Sequence, residues 1–310
     1  MHPSIRAPSW WLTAQVSRTS TTARRLFDRF EPVHALTYFS PESRDALGQA
    51  GFRGFWMGYF GARAAPLGAV GADLVTAVFY NFAPAHVARA LPAAWDFASP
   101  VDALRAREAS AVAALGRCGV GDGTEVRTAG DLLAKAAAAA PLDGRPLFAA
   151  NRALPWPDEP AARLWHACTL LREHRGDTHV AVLVANGVGG RDCNVLHALA
   201  DRVPREFIMR GREYDDHEWQ VCLDRLAARG LVDDQGVLTD SGREFKQHLE
   251  DSTDRLSLSA FDALDDGELE LLFRALTPLT RAVVAAGDIP TATPMGLRRD
   301  DLDEDGAQLS

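Results

Sequence analysis

Residues 223–232 read Leu-Asp-Arg-Leu-Ala-Ala-Arg-Gly-Leu-Val and run directly into Asp-Asp-Gln-Gly-Val-Leu-Thr-Asp-Ser-Gly-Arg at 233–243. No other stretch of the chain restricts the fold so tightly. An apolar-periodic helix stopped by Gly230, an extended pair turning at 234–236, and a new helix capped by Thr239 or Ser241 follow in the order that a winged helix requires. The charge of the same region argues against nucleic acid. Between Glu213 and Asp254 twelve acids face Arg225, Arg229, Arg243 and Lys246, a net charge of −8 with histidines neutral. A phosphate backbone repels such a face, so DNA is not an expected partner.

The whole chain is also acidic, with a net charge of −9 over 310 residues and a pI near 5.5. Lys and Arg excess is what builds non-specific affinity for polyanions, and this chain lacks it. No apolar run approaches the ~18 residues of a membrane span, so no membrane role is expected. Cys118, Cys168, Cys193 and Cys222 are scattered without a Cys-x-x-Cys pair, which fits free thiols in a reducing cytoplasm. Arginine outnumbers lysine 31 to 2 and alanine is abundant, a bias of GC-rich bacterial genomes.

Helical periodicity and turn signals divide the chain as follows: a disordered tail at 1–23, a helical domain at 24–140, a proline-rich linker at 141–160, a winged-helix-like domain at 161–288, and an acidic disordered tail at 289–310. The first 27 residues contain no acid. Ser40 followed by Pro41 is a helix start, with a hydroxyl cap and Pro at the first helical position. Separate helices are expected over 164–174, 178–185 and 192–200, with one from 267 to 286 closing the fold. The predicted class is therefore mainly α, a helical N-terminal domain plus a winged-helix C-terminal domain with a small β-wing.

Two resemblances follow from these residues. The Leu-x-Ala-Arg-Gly-Leu-Val helix end and the Leu-Thr-x-x-Gly return make residues 161–250 similar to the winged helix of multiple-antibiotic-resistance regulators. Over nearly its whole length the chain resembles a poorly characterised actinobacterial helix-turn-helix family often labelled SalK-like. That likeness rests on Glu-Pro-Val-His at 31–34, Phe-Trp-Met-Gly-Tyr at 55–59, Arg-Ala-Ala-Pro-Leu-Gly at 63–68, Phe-Tyr-Asn-Phe at 79–82, Gly-Arg-Pro-Leu at 144–147, Leu-Arg-Glu-His-Arg-Gly-Asp-Thr-His at 171–179 and Thr-Asp-Arg-Leu at 253–256. It implies no assigned reaction.

Two clusters could carry function. In 171–179, His174 and His179 could form an acid/base pair held by Asp177 and Arg172, at what reads as a helix-to-helix junction. Equally, Asp177 could cap the next helix while the arginines pair with carboxylates. His-x4-His across a glycine is poor metal spacing, so no metal site is expected, and no cofactor motif is present. The second cluster is aromatic. Either it is plain core, or His34, Tyr38, Tyr59, Arg63, Tyr80 and Asn81, with Arg172, supply polar contacts in an aromatic-walled pocket. Arg63 needs an anion, whether Glu31, Glu42 or a ligand carboxylate.

The sequence thus points first to a small-molecule-binding winged-helix protein without a DNA-compatible face, an enzyme or accessory protein of bacterial specialised metabolism. Its partner would be a small aromatic or carboxylate-bearing molecule, and a homodimer is compatible with this. The alternative is a ligand-responsive winged-helix transcriptional regulator.

Overall fold

The computed structural model describes residues 18–200, 203–291 and 295–309. Most of the expected N-terminal tail, residues 1–17, lies outside them. Among the described residues there are fourteen α-helices and no strand. In chain order they are α1 (Ser20–Phe39), α2 (Pro41–Gln49), α3 (Gly54–Ala64), α4 (Ala72–Phe79), α5 (Pro84–Ala90), α6 (Pro100–Arg117), α7 (Thr124–Ala139), α8 (Pro146–Arg152), α9 (Pro160–Ala185), α10 (Gly190–Leu199), α11 (Arg205–Arg212), α12 (Asp216–Ala228), α13 (Asp240–Ser257) and α14 (Asp266–Ala285). None of these helices alone is long and apolar enough to cross a membrane.

Helix α9 organises the molecule. Pro160 opens it, and the Glu159 carboxylate accepts from the backbone N–H groups of Ala161 and Ala162. Its 26 residues are buried on nearly every face, with α1, α6, α7, α8 and α13 packed around it. Three apolar cores result. One joins α1, α6, α7, α9 and α14; a second, rich in aromatics, lies among α2 to α5; the third belongs to α10, α11, α12 and the start of α13.

Several expectations change here. The junction expected near Gly176 does not exist, because 164–174 and 178–185 are parts of one continuous helix. Enough apolar packing surrounds this stretch to override the weak helix propensity of a single glycine. The 141–160 segment contains α8, whose Leu147 and Phe148 are buried, and the Asp177 carboxylate accepts from the Phe148 N–H near its start. The acidic segment expected as a solvated tail instead lies on α1. Asp301 pairs with Arg25 and Arg29 at 2.9 and 2.7 Å, and Leu302 and Ala307 are buried. Arg29 is fully buried, and a buried guanidinium is normally paired with such a carboxylate.

The β-wing is also corrected. Only one antiparallel bridge, Val232 with Leu238, joins the two arms. Five residues separate them, and the Asp233 carboxylate takes the N–H groups of Gln235 and Val237, which a ladder would have used. The turn is still closed tightly. Thr239 caps α13 through the Gly242 N–H, and a Cβ on Gly242 would lie 2.1 Å from the Leu231 carbonyl oxygen.

Candidate functional site

A cavity of about 830 Å³ opens where the three cores meet. Its walls come from α1, α3, the turn after α4, α9, α10, α11 and α13, so both halves of the chain enclose it. On α9 the lining residues are Arg172, Arg175, Gly176, His179, Val180 and Leu183, a stripe at helical spacing. Tyr38, Phe55, Trp56, Tyr59 and Phe79 form the aromatic side, with the Tyr38 and Tyr59 rings 5.3 Å apart.

Nine Arg and Lys side chains line the cavity against two carboxylates, Glu31 and Glu250. Much of this charge is answered by acids on the same helices. Glu173 accepts from Nε and Nη2 of Arg63, both at 3.2 Å, and from Nη1 of Arg172 at 2.9 Å. Burial pushes the Glu173 carboxyl up, and the Arg172 and Arg63 guanidiniums overcome this and hold it well below the usual carboxylate range. Arg172 also lies 3.5 Å from Glu31. Burial pushes Glu31 up to about 7, and its Oε2 accepts no hydrogen bond. Arg175 pairs with Asp254 at 2.7 Å and Glu250 at 3.6 Å. Arg212 is different. Its guanidinium lies 4.1 Å from the Phe82 ring and donates to the Gly211 carbonyl, and among the described residues its Nε has no hydrogen-bond partner and it pairs with no carboxylate. The lining therefore carries excess positive charge beside aromatic walls, which suits an anionic ligand with an apolar body.

Of the residues singled out from sequence, Tyr38, Tyr59, Arg63, Tyr80, Asn81 and Arg172 all line the cavity. His34 stands behind it, bonded to Thr169 and Tyr38 at 2.9 Å and held neutral by burial. Arg63 takes its internal anion from Glu173, rather than from Glu31 or Glu42. His174 and His179 do not come together. Five residues apart on one helix, they diverge: His174 packs edge-on against Phe148, while His179 bonds Thr253 at 2.9 Å and lines the cavity. Burial pushes them down to about 3 and about 4. Asp177 belongs to the α8 contact, where burial pushes it up to about 7. Sequence reasoning missed Arg175 and Arg212 as cavity residues. The stripe on α9 was legible, but only on a helix left unbroken at Gly176. Among the described residues no group of three His, Cys, Asp or Glu could hold a metal ion.

One strained seam fixes the two halves to each other. Tyr80 has φ +62°, and the Asn81 N–H donates to the Phe79 carbonyl at 2.7 Å, the pattern of a γ-turn, which is rare and costly. The Tyr80 carbonyl meets the start of α10 so closely that a Cβ on Gly190 would lie 1.9 Å away. Asn194 donates to the Asn81 carbonyl, and the Tyr80 hydroxyl to the Val188 carbonyl.

Helices α10, α11 and α12 follow one another with short turns, and their acids are not bare. Asp215 caps the helix by accepting from the Glu218 N–H. Asp216 pairs with Arg205 at 2.7 Å, Glu218 with Arg191 at 2.6 Å, and Asp192 with Arg225 at 2.6 Å. His217, Gln220 and Asp224 are exposed along α12.

Searches of curated proteins and of solved structures return no match to this chain. The model of the Helix-turn-helix family matches residues 23–290, most of the chain. That match overturns the expectation that DNA is an unlikely partner. The expectation counted charges from Glu213 onward and so left out Arg191 and Arg205, which neutralise two of the carboxylates held against it. A module of this fold, with its helix-start acids capped or paired, running through a match of this length, has one reading: the chain belongs to the Helix-turn-helix family.

Proposed function

We propose that the chain is a transcriptional regulator that binds DNA through α10 to α12 and responds to a small anionic, aromatic-bearing molecule in the cavity. The observation that carries this reading is the origin of the cavity walls, which come from the aromatic N-terminal half and from helices of the DNA-binding module alike. A ligand held by both parts biases their relative placement by as much as its affinity differs between placements. From the resemblance to multiple-antibiotic-resistance regulators the proposal takes only the docking mode, with α12 in the major groove. Small-molecule recognition is retained from the sequence reading, with Tyr38, Tyr59, Arg63, Tyr80, Asn81 and Arg172 as contact residues.

The test has two stages. Duplexes selected from a random pool by the purified protein should bind with a measurable log-log dependence on salt. Molecules retained by the protein, identified by mass spectrometry, should then change that affinity by roughly 5–150-fold, the usual range of coupling between sites. A pool yielding no salt-dependent binder ends the DNA reading. Retained ligands that leave DNA affinity unchanged end the ligand-responsive part.

A further inference from the structure

A second cavity of about 300 Å³ lies within the N-terminal half, bounded by α1, α2, α3 and α6, with no residue of α10 to α13 in its walls. Most of it is apolar, with Leu47, Phe52, Phe55 and Ala62 among its lining. Three arginines, Arg44, Arg63 and Arg107, line it and no carboxylate does. Arg63 is taken by Glu173, and Arg44 is an exposed residue of α2.

Arg107 is the unusual one. It is 2% exposed, so it is as buried as the apolar side chains around it. Its Nη1 donates to the Ala62 carbonyl at 3.1 Å, while among the described residues Nε and Nη2 have no hydrogen-bond partner and the guanidinium pairs with no carboxylate. The Trp165 ring lies 5.3 Å from its Cζ. Buried charges are normally paired, and the unsatisfied N–H groups here sit on one edge of the guanidinium. That Nε/Nη2 edge is the one Arg63 presents to Glu173 and Arg24 presents to Asp28. Its geometry matches the two oxygens of a carboxylate.

We infer that this smaller cavity is a binding site for a small monocarboxylic acid with an apolar body, whose carboxylate takes the Nε/Nη2 edge of Arg107. One unpaired guanidinium among mostly apolar walls balances a single negative charge. The apolar body, a single ring or a short chain, lies against Leu47, Phe52 and Phe55. Exposed Arg44 adds positive charge near the same cavity, which favours approach of an anion. Tyr38, Phe55, Tyr59 and Arg63 line both cavities, whereas Arg107, Leu47 and Phe52 line the smaller and not the larger, and the site does not depend on DNA binding.

Benzoate and hexanoate, with benzyl alcohol and hexan-1-ol as neutral counterparts, probe the site by calorimetry and thermal melting of the full chain. The acids should bind and raise Tm, and the alcohols should bind at least tenfold more weakly. Arg107→Met should leave the unliganded Tm level or higher, since it removes an unpaired buried charge, and should abolish the response to the acids. Arg212→Met, in the larger cavity, should keep it. Gly48→Leu is the second variant. A Cβ there meets no heavy atom within 4 Å, so the added side chain fits the fold and obstructs a cavity that Gly48 lines. It should bind the acids at least tenfold more weakly whether or not Arg107→Met folds. The inference is overturned if neither acid binds, if acids and alcohols bind alike, if Arg107→Met or Gly48→Leu binds as the unmodified chain does, or if Arg212→Met alone loses the response.

Discussion

Glu173→Gln tests whether the buried ion network holds the cavity wall together. Glu173 is 1% exposed and anchors two guanidiniums, through Nε and Nη2 of Arg63 and Nη1 of Arg172, at 2.9 to 3.2 Å. An amide keeps the shape but removes the charge, and its NH2 group must face an arginine where an oxygen stood. Breaking a buried pair by removing one partner costs about 3–5 kcal/mol, because the other charge stays buried. At about 2.1 cal/mol/K per residue a chain of this size shifts by roughly 1.5 °C per kcal/mol, so a Tm drop of about 5–8 °C is expected. Circular dichroism melts at neutral pH measure it. Arg63→Met should also destabilise, and the double variant should lose less than the sum of the two, since the second change removes a charge the first left stranded. A Glu173→Gln variant melting within 2 °C of the unmodified chain, or strictly additive losses, would refute the account of Glu173 as the common anchor of both arginines.

Three further outcomes are expected. His174 is held at about 3, below its ordinary 6.5, so its neutral form contributes stability that is present above pH 6.5 and lost as the pH falls toward 3. His174→Leu should therefore flatten the fall of Tm between pH 6.5 and 4, and an equally steep fall shows that this imidazole is not the cause. Asp177 has the opposite sign: raised from 3.8 to about 7, it contributes stability that is present below pH 4 and lost as the pH rises through 7. The Tm of Asp177→Asn relative to the unmodified chain should rise from pH 5 to pH 8, and a constant difference would remove burial as the reason. Gln220, exposed on α12 and bonded to Asp224, should contribute about 1–3 kcal/mol to reading a selected DNA site. Anisotropy titrations of Gln220→Ala that match the unmodified protein would place base reading elsewhere.

The helices with strong local signals were legible in the sequence. Ser40 caps α2, Thr239 caps α13, and the helix closing the fold, expected at 267–286, runs from Asp266 to Ala285. What could not be read depended on distant partners. Gly176 looks like a break until the helices around α9 are known. The acidic C-terminal segment looks solvated until Arg25 and Arg29 are seen buried on α1 without enough acids of their own. For the cavity, residue types and spacing identified the aromatic side and Arg63, because aromatics at helical spacing beside a cation are conspicuous. The choice of Glu173 as its partner required the fold, since 110 residues separate the two. Charge counting failed for α12 because it treated each carboxylate as bare, whereas arginines from α10 and α11 return to meet them.

The contact between Gly190 and the Tyr80 carbonyl has a mechanical meaning. With no room for a single methyl group between the backbones, the start of α10 cannot slide past the turn after α4, so a displacement of α10 to α12 against the N-terminal half has to turn about this point. A molecule that widens the cavity then acts as a hand pushing a door beside its hinge, and a small change near the contact grows along the helices that lead away from it.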